Sequence, residues 1–215
     1  MIYHYPMRYL FYILFFVTAI VGVFPMAGSA HAAQAEISIV VNDAAISELE
    51  VNDRIKLLLS SSGIPDTQEN RDKVRAQVNQ MLIDEALKVQ EAEKHEITVS
   101  DDEVQEGIAQ IAGQNNLSLE QFAQLIDAQG IPRRTLRNQV KAQIAWGKFV
   151  QSHLKPQIDI SAEDVDAELQ KMNVPLDDEQ VREEVVGKIG MERLGRLQHR
   201  HFQSVKSSAF IETRG

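Results

Sequence analysis

The chain has 215 residues and a formal net charge of −9, from 22 basic and 31 acidic side chains. This acidic balance argues against nucleic acid and anionic lipid surfaces as ligands, because both require clustered Lys and Arg. The sequence contains no cysteine, which excludes disulfide bonds and thiolate chemistry, so the stability of the fold must come from packing.

The N-terminal residues have the pattern of a secretory signal peptide. The first eight residues contain one Arg and no acid, Tyr9 to Val23 is almost entirely apolar, and Ala30-His31-Ala32 has the small-x-small pattern of a cleavage site. The sequence therefore predicts a signal peptide over residues 1–32, with cleavage near Ala32 and export of residues 33–215. Because the apolar run can be extended to Phe24, an uncleaved membrane anchor is the alternative interpretation.

Two extended stretches lie near the ends of the predicted mature chain. Ile37 to Val41 alternates apolar residues at positions 37, 39 and 41 and is followed by a turn at Asn42-Asp43. Ala209 to Thr213 is a second stretch with aromatic and β-branched residues. An isolated hairpin is only marginally stable in water, and a chain end needs tethering to be ordered, so we expect the two stretches to pair.

Helical signals dominate the chain between these stretches. Apolar residues recur three, four or seven apart from about Thr67 to Lys94, which predicts one long helix. Helix starts capped by Ser, with an acidic residue or Gln three positions later, are predicted at Ser47, Ser100, Ser118 and Ser161. Pro132 suits the first turn of a further helix, and Asp177-Asp178 begins a final helix that reaches about Ser207.

Together these signals predict a mainly α fold, a single multi-helix core closed by a small β-sheet from the N- and C-terminal strands. Residues 37–172 form its N-terminal helical part, and residues 177–214 form a C-terminal helix and strand that dock onto it. Gly187, Gly190 and Gly195 fall within the final helix, where an exposed Gly costs about 1 kcal/mol relative to Ala. We interpret them as sites of close helix–helix contact. A flexible segment beside a binding groove and a break in the helix are the alternatives.

The sequence contains no motif for catalysis or cofactor binding. Gly187-Lys188-Ile189 lacks the following Ser or Thr and the upstream Gly of a phosphate-binding loop, and no Gly-x-Ser-x-Gly nucleophile elbow occurs. His199 and His201 are two residues apart, which points them to different sides of a helix, and His95 and His153 have no partner at a ligand spacing. We therefore interpret the histidines as surface residues and predict no catalytic residue, no cofactor and no metal.

Two features have both a structural and a functional interpretation. The four basic residues of segment 133–141 fit a solvated helix face paired with acids, and a docking patch is the alternative. Trp146 and Phe149 fit core anchors, and the lining of an exposed groove for apolar polypeptide segments is the alternative.

One ordered series of segments resembles the N-terminal domain of SurA-type periplasmic chaperones. It comprises Val40-Val41-Asn42-Asp43, Gln114-Asn115-Asn116-Leu117-Ser118-Leu119-Glu120-Gln121-Phe122, Gly130 and Arg137-Asn138-Gln139-Val140. The resemblance covers about Ile37 to Leu169. The tail from Asp178 through Ala209-Phe210-Ile211-Glu212 is similar to the C-terminal helix and closing strand of that family.

In that family, parvulin-type prolyl isomerase domains are inserted between the N-terminal segment and the C-terminal helix. Only eight residues separate Leu169 from Asp178 in this chain, whereas an independent domain takes at least ~50 residues. The resemblance therefore implies the chaperone core without the enzyme module.

The function implied by the resemblance is that of an ATP-independent periplasmic holdase. Its partners would be unfolded outer-membrane β-barrel proteins or other aromatic-rich unfolded polypeptides, with no stable membrane insertion after signal cleavage. Our candidates for contact with these clients are Met81, Phe122, Trp146 and Phe149. Peptidyl-prolyl cis-trans isomerase activity inherited from the family, and a membrane-anchored assembly subunit, are the alternative functions.

Overall fold

A computed structural model describes residues 36–214, except residues 174, 176 and 177. The strands are β1 (Ile37–Val41), β2 (Ala44–Ser47) and β3 (Ile211–Thr213). The helices are α1 (Glu48–Ser61), α2 (Gln68–Lys94), α3 (Asp101–Gln114), α4 (Leu119–Ala128), α5 (Arg133–Phe149), α6 (Ala162–Met172) and α7 (Glu179–Ser208). A π-helical turn (Val150–Leu154) and a 3-10 turn (Lys155–Gln157) extend α5. The predicted signal peptide lies outside the described residues.

The two ends of the described chain meet in one antiparallel sheet with the strand order β2-β1-β3. Ile39 lies opposite Thr213, and Val41 lies opposite Ile211. Ile39 and Val41 are fully buried, so the central strand turns its apolar side to the helices. The predicted pairing of the terminal strands and the predicted mainly α fold class are thereby confirmed.

Asn42 joins the turn after β1 to both β3 and α2. Its φ angle of 52° lies in the left-handed region, which Asn tolerates better than most residues. The Asn42 side chain donates a hydrogen bond to Gln90 Oε1 (2.8 Å) and accepts one from the Phe210 amide (2.9 Å). Gln90 in turn donates to the Val41 carbonyl at 2.9 Å. One side chain therefore connects three elements that are distant in sequence.

The predicted helix starts at the four serines are confirmed. Ser47, Ser100, Ser118 and Ser161 are each the N-cap of a helix, and each forms a complete capping box. The prediction that Pro132 lies in the first helical turn is wrong. Its ψ angle of 131° is extended, so it is the N-cap of α5, and its carbonyl accepts a hydrogen bond from the Thr135 amide.

The interpretation of the α7 glycines as helix–helix contacts is wrong at all three positions, because Ile160, the one neighbour found, precedes α6. A Cβ atom added to Gly187 or Gly195 would have no neighbouring atom within 4 Å, and one added to Gly190 would meet Ile160 at an ordinary 3.4 Å. α7 nevertheless continues unbroken across them. A glycine at a close helix–helix contact is found instead in α3, where a Cβ atom on Gly107 would come within 2.7 Å of Val140 Cγ1 of α5.

Four apolar clusters hold the helices together. The first joins the sheet to α1 and α2, and the second joins α3, α4 and α5. The third surrounds Phe149, and the fourth lies between α6 and the N-terminal half of α7. Half-buried residues of α7 pack on the first, third and fourth clusters, so this single helix connects the sheet to the α6–α7 hairpin.

Arg54 is a buried cation at the junction of α1, α2 and α5. Only 2% of the residue is exposed, and its guanidinium group pairs with Glu85 of α2 and donates to the Gln139 side chain of α5. Burial lowers the pKa of Arg54 and raises the pKa of Glu85, and the attraction between the two charges opposes both shifts. Each charge therefore offsets part of the cost of burying the other.

We predict that Arg54→Ala lowers the free energy of unfolding by about 3–5 kcal/mol, because it leaves the Glu85 carboxyl group buried without its cation. Urea denaturation measures this loss. The double variant Arg54→Met/Glu85→Met should recover much of it, since no unpaired charge is then buried. Arg133→Ala, which breaks an exposed ion pair with Asp127, should change stability little. Equal losses for Arg54→Ala and Arg133→Ala would contradict this explanation.

Asn42→Ala should lower the free energy of unfolding by about 2–4 kcal/mol, because it adds backbone strain at positive φ and removes two side-chain hydrogen bonds. Asn116→Ala is the matched control. Asn116 has a φ angle of 57°, but its side chain makes no hydrogen bond within the described part of the chain. Thermal unfolding measures the loss of stability in both variants. Equal losses would disprove the linking role of Asn42.

Candidate functional site

An apolar cleft of about 140 Å³ opens between α3, α4 and α5. Its apolar lining consists of Ile108, Leu119, Phe122, Ala123, Ile126 and Leu136. Gln105, Arg133 and Arg137 complete the lining with polar groups. The cleft therefore offers a hydrophobic floor beneath a polar rim, an arrangement typical of sites that take an apolar group.

Local sequence explains how the cleft is built. The capping box of Ser118 and Gln121 begins α4, and Phe122 and Ile126 then lie four residues apart on one helix face. Phe122 is only 9% exposed, so one part of its ring packs in the core while the rest lines the cleft. Gly107 lets α3 pack closely on α5 beside Val140, and these two helices carry the other lining residues of the cleft.

The cations around the cleft are already paired. Arg133 donates to Asp127 at 3.0 Å (Nε to Oδ1), and this hydrogen bond lowers the pKa of the Asp127 carboxyl group. Arg137 pairs with Asp101 at 2.6 Å, and Arg134 pairs with Asp53 at 2.7 Å. The interpretation of this basic run as a solvated face paired with acids is therefore confirmed at three of its four residues.

The four candidate client-contact residues do not form one surface. Phe122 lies in the cleft and in the second cluster, whereas Phe149 is 1% exposed and lies in the third cluster. Trp146 is half-buried and stacks on Phe149 with 5.2 Å between ring centroids, as expected for a core anchor. Met81 lies half-buried on α2. Of the four, only Phe122 lines the apolar cleft.

Three histidines gather around Phe149, of which His95 is exposed, as interpreted from the sequence, and His153 and His201 are half-buried. The His153 ring stacks on Phe149 (5.3 Å between centroids), and the His95 ring lies 4.4 Å from that of His153. His201 Nε2 lies 2.8 Å from Glu91 Oε1. The three come from the end of α2, the π-helical turn and α7, so their spacing along the chain carried no signal of the contact.

Glu91 is the anionic partner in this cluster. Burial raises the pKa of its carboxyl group, but hydrogen bonds with His201 and Lys94 outweigh burial and leave the pKa below its ordinary value. Among the described residues, no group of three or more His, Asp or Glu side chains is arranged to hold a metal ion.

The α6–α7 hairpin has a small core of its own and carries exposed apolar side chains. Val165, Leu169 and Val185 are buried between the two helices. Met172, Val186 and Met191 are 46%, 41% and 73% exposed. Ion pairs support the packing of the two helices, and one of them joins Arg193 to Asp164. Hydrogen bonds from Arg193 and from Ser161 lower the pKa of the Asp164 carboxyl group to about 2. Within the part of the chain that the structure describes, no helix is both long and apolar enough to cross a bilayer.

Comparison with known families places the cleft inside a matched region. Residues 4–150 match the SurA-like N-terminal domain, a segment that ends just after α5. The α6–α7 hairpin and β3 follow that segment, so the similarity inferred for the tail stays a prediction.

The curated relatives include proteins named Chaperone SurA. The relative from Methylococcus capsulatus is 35% identical over 142 residues, which cover 64% of this chain and 30% of the relative. That from Pseudomonas syringae pv. tomato is 29% identical over 153 residues, covering 67% and 35% of the two chains. The aligned part thus spans about a third of these relatives. Because the family match extends over more than half of its residues, this chain belongs to the SurA-like N-terminal domain family.

Proposed function

We propose that this protein is an ATP-independent chaperone that holds unfolded polypeptides, including outer-membrane β-barrel proteins, in the periplasm. The observation that carries the proposal is the apolar cleft beside Phe122, which lies within the segment that matches the SurA-like N-terminal domain. The relatives are named chaperones, which supports the binding of unfolded clients in general. The signal peptide over residues 1–32 and export of residues 33–215 are part of the same proposal.

The size and chemistry of the cleft suit a side chain of an unfolded client. A cavity of about 150 Å³ is large enough for benzene, so a cleft of about 140 Å³ can take one aromatic ring. Unfolded β-barrel segments alternate apolar and polar side chains and carry aromatic residues near the ends of their strands. A protein that binds such segments only while they are unfolded keeps them soluble by mass action and needs no ATP.

The net charge of the chain fits the same role. Its formal charge of −9 favours solubility of a chaperone–client complex and disfavours contact with anionic headgroups. Paired arginines at the rim leave the cleft nearly neutral, so apolar contact rather than charge selects what enters it.

The connection between α6 and α7 supports a chaperone without an isomerase module. α6 ends at Met172 and α7 begins at Glu179, so residues 173–178 span the whole connection. An independent domain needs at least ~50 residues. Prolyl isomerase activity in a protease-coupled proline-peptide assay would overturn this part of the proposal.

N-terminal sequencing of the exported protein distinguishes a chaperone released by signal cleavage from a subunit anchored by an uncleaved segment.

The purified exported protein should suppress the aggregation of a denatured β-barrel protein at molar excess and without nucleotide. Light scattering after dilution from urea measures the suppression. A denatured soluble enzyme serves as a competing client. No suppression of barrel aggregation would refute the chaperone proposal, and preferential rescue of the soluble enzyme would refute the proposed client class.

Ala123→Glu should weaken the binding of an uncharged aromatic peptide by about tenfold, because it places a carboxylate in the apolar lining of the cleft. Fluorescence anisotropy with the labelled peptide measures the affinity. Ala76→Glu, at an exposed position of α2, is the matched control and should bind like the unmodified protein. Circular dichroism verifies that both variants fold. Equal affinities of the two variants would exclude the cleft as the binding site.

A further inference from the structure

Two arginines of α7 lack the close ion pairs that the other arginines make. Nine of the arginines in the described residues, from Arg54 to Arg214, hold a carboxylate in a direct ion pair. Arg196 reaches Glu192 only at 3.7 Å, and Arg200 has neither a hydrogen bond nor an ion pair with any described residue. Both side chains are exposed.

Both arginines line a groove rather than a convex surface. A groove of about 460 Å³ lies between α7 and residues 157–159, and Ile158 and Leu197 contribute apolar lining. Arg193 shapes this groove, because it donates to the Asp159 carbonyl and pairs with Asp164 at 2.6 Å. Asp159 is the one carboxylate among the lining residues, against three arginines. Arg193 is neutralised by Asp164 from outside the lining, so the cations open to a ligand are Arg200 and the more loosely paired Arg196.

The spacing of Arg196 and Arg200 matches that of side chains on an extended strand. Arg196 and Arg200 are four residues apart on α7, which is a rise of about 6 Å along the helix axis. Side chains at positions i and i+2 of an extended chain are separated by about 6.6–6.8 Å and point the same way. A guanidinium group pairs with a carboxylate through two parallel hydrogen bonds.

We propose that this groove is a second client-binding site, which takes an extended polypeptide segment with two acidic side chains two residues apart. This inference rests on the proposed chaperone function and adds a class of segment that the cleft beside Phe122 does not select. The apolar lining would contact the methylene groups and backbone of the segment.

A polypeptide fits the groove better than a membrane surface does. The groove is concave, whereas a bilayer surface is nearly flat on this scale. The net negative charge of the protein is also repelled by an extended anionic surface. A single bound segment is attracted mainly by the nearby arginines, because salt screens charges that lie more than a Debye length of about 8 Å away.

The test uses the purified exported protein and two labelled peptides, one with Glu-x-Glu in an uncharged extended sequence and one with Gln-x-Gln in the same sequence. The Glu peptide should bind at least about tenfold more tightly, and its affinity should fall with added salt. Equal binding of the two peptides would overturn the proposal without any need for a variant.

Arg196→Gln/Arg200→Gln should reduce binding of the Glu peptide by about tenfold or more and leave that of the uncharged aromatic peptide unchanged. Arg71→Gln/Arg75→Gln is the matched control. It also removes two arginines one helical turn apart, but both are already paired, with Asp66 and Glu48, so Glu-peptide binding should not change. Equal effects of the two double variants would overturn the groove as the site.

Flotation with phosphatidylglycerol vesicles separates a lipid ligand from a peptide ligand. Vesicle binding that depends on Arg196 and Arg200, without binding of the Glu peptide, would overturn the proposal. Loss of aromatic-peptide binding in Ala123→Glu, with the Glu peptide still bound, would support two separate sites. If the aromatic peptide did not bind while the Glu peptide did, the result would count against the proposed cleft and would still support the groove.

Discussion

The pairing of β3 with β1 is the constraint on which the rest of the structure depends. The Asn42 amide donates to the Phe210 carbonyl at 2.8 Å and the Arg214 amide donates to the Ser38 carbonyl at 2.7 Å, so both ends of β3 are attached to the turn and strand that open the fold. This attachment returns the end of α7 to the sheet, where Phe202 and Val205 pack on the first cluster. The other end of α7 forms the hairpin with α6, because one continuous helix of 30 residues spans both sites.

The two proposed binding surfaces differ in the force that they use. The cleft of α3, α4 and α5 has an apolar floor and paired cations, so its binding energy would come from removing apolar area from water. The groove on α7 has two exposed guanidinium groups that lack close partners in the described residues, so its selectivity would come from charge-assisted hydrogen bonds. A chaperone with both could hold segments that differ in composition, since neither surface depends on the chemistry of the other.

Much of the fold could be predicted from local signals. The four serine caps, the long helix from about Thr67 and the extended stretch before Asn42 were all correctly located, because capping, apolar periodicity and strand alternation act over a few neighbouring residues. The terminal strand pairing was also predictable, since two short extended stretches needed partners. The prediction for the α7 glycines was wrong because a glycine in a helix has the same local signature whether a neighbour packs on it or solvent does.

The sequence by itself determined the class of the fold, the helix starts and the absence of any recognisable catalytic motif, since each is written in residue types at short spacing. Only the tertiary structure decided which side chains share a surface. It buried Phe149 while leaving Phe122 at a cleft, gathered three histidines from three elements around one ring, and left Arg200 unpaired among the described residues. The physical reason is that burial and ion pairing depend on which elements pack together, and ion pairs in this fold join residues that are up to 122 positions apart in the chain.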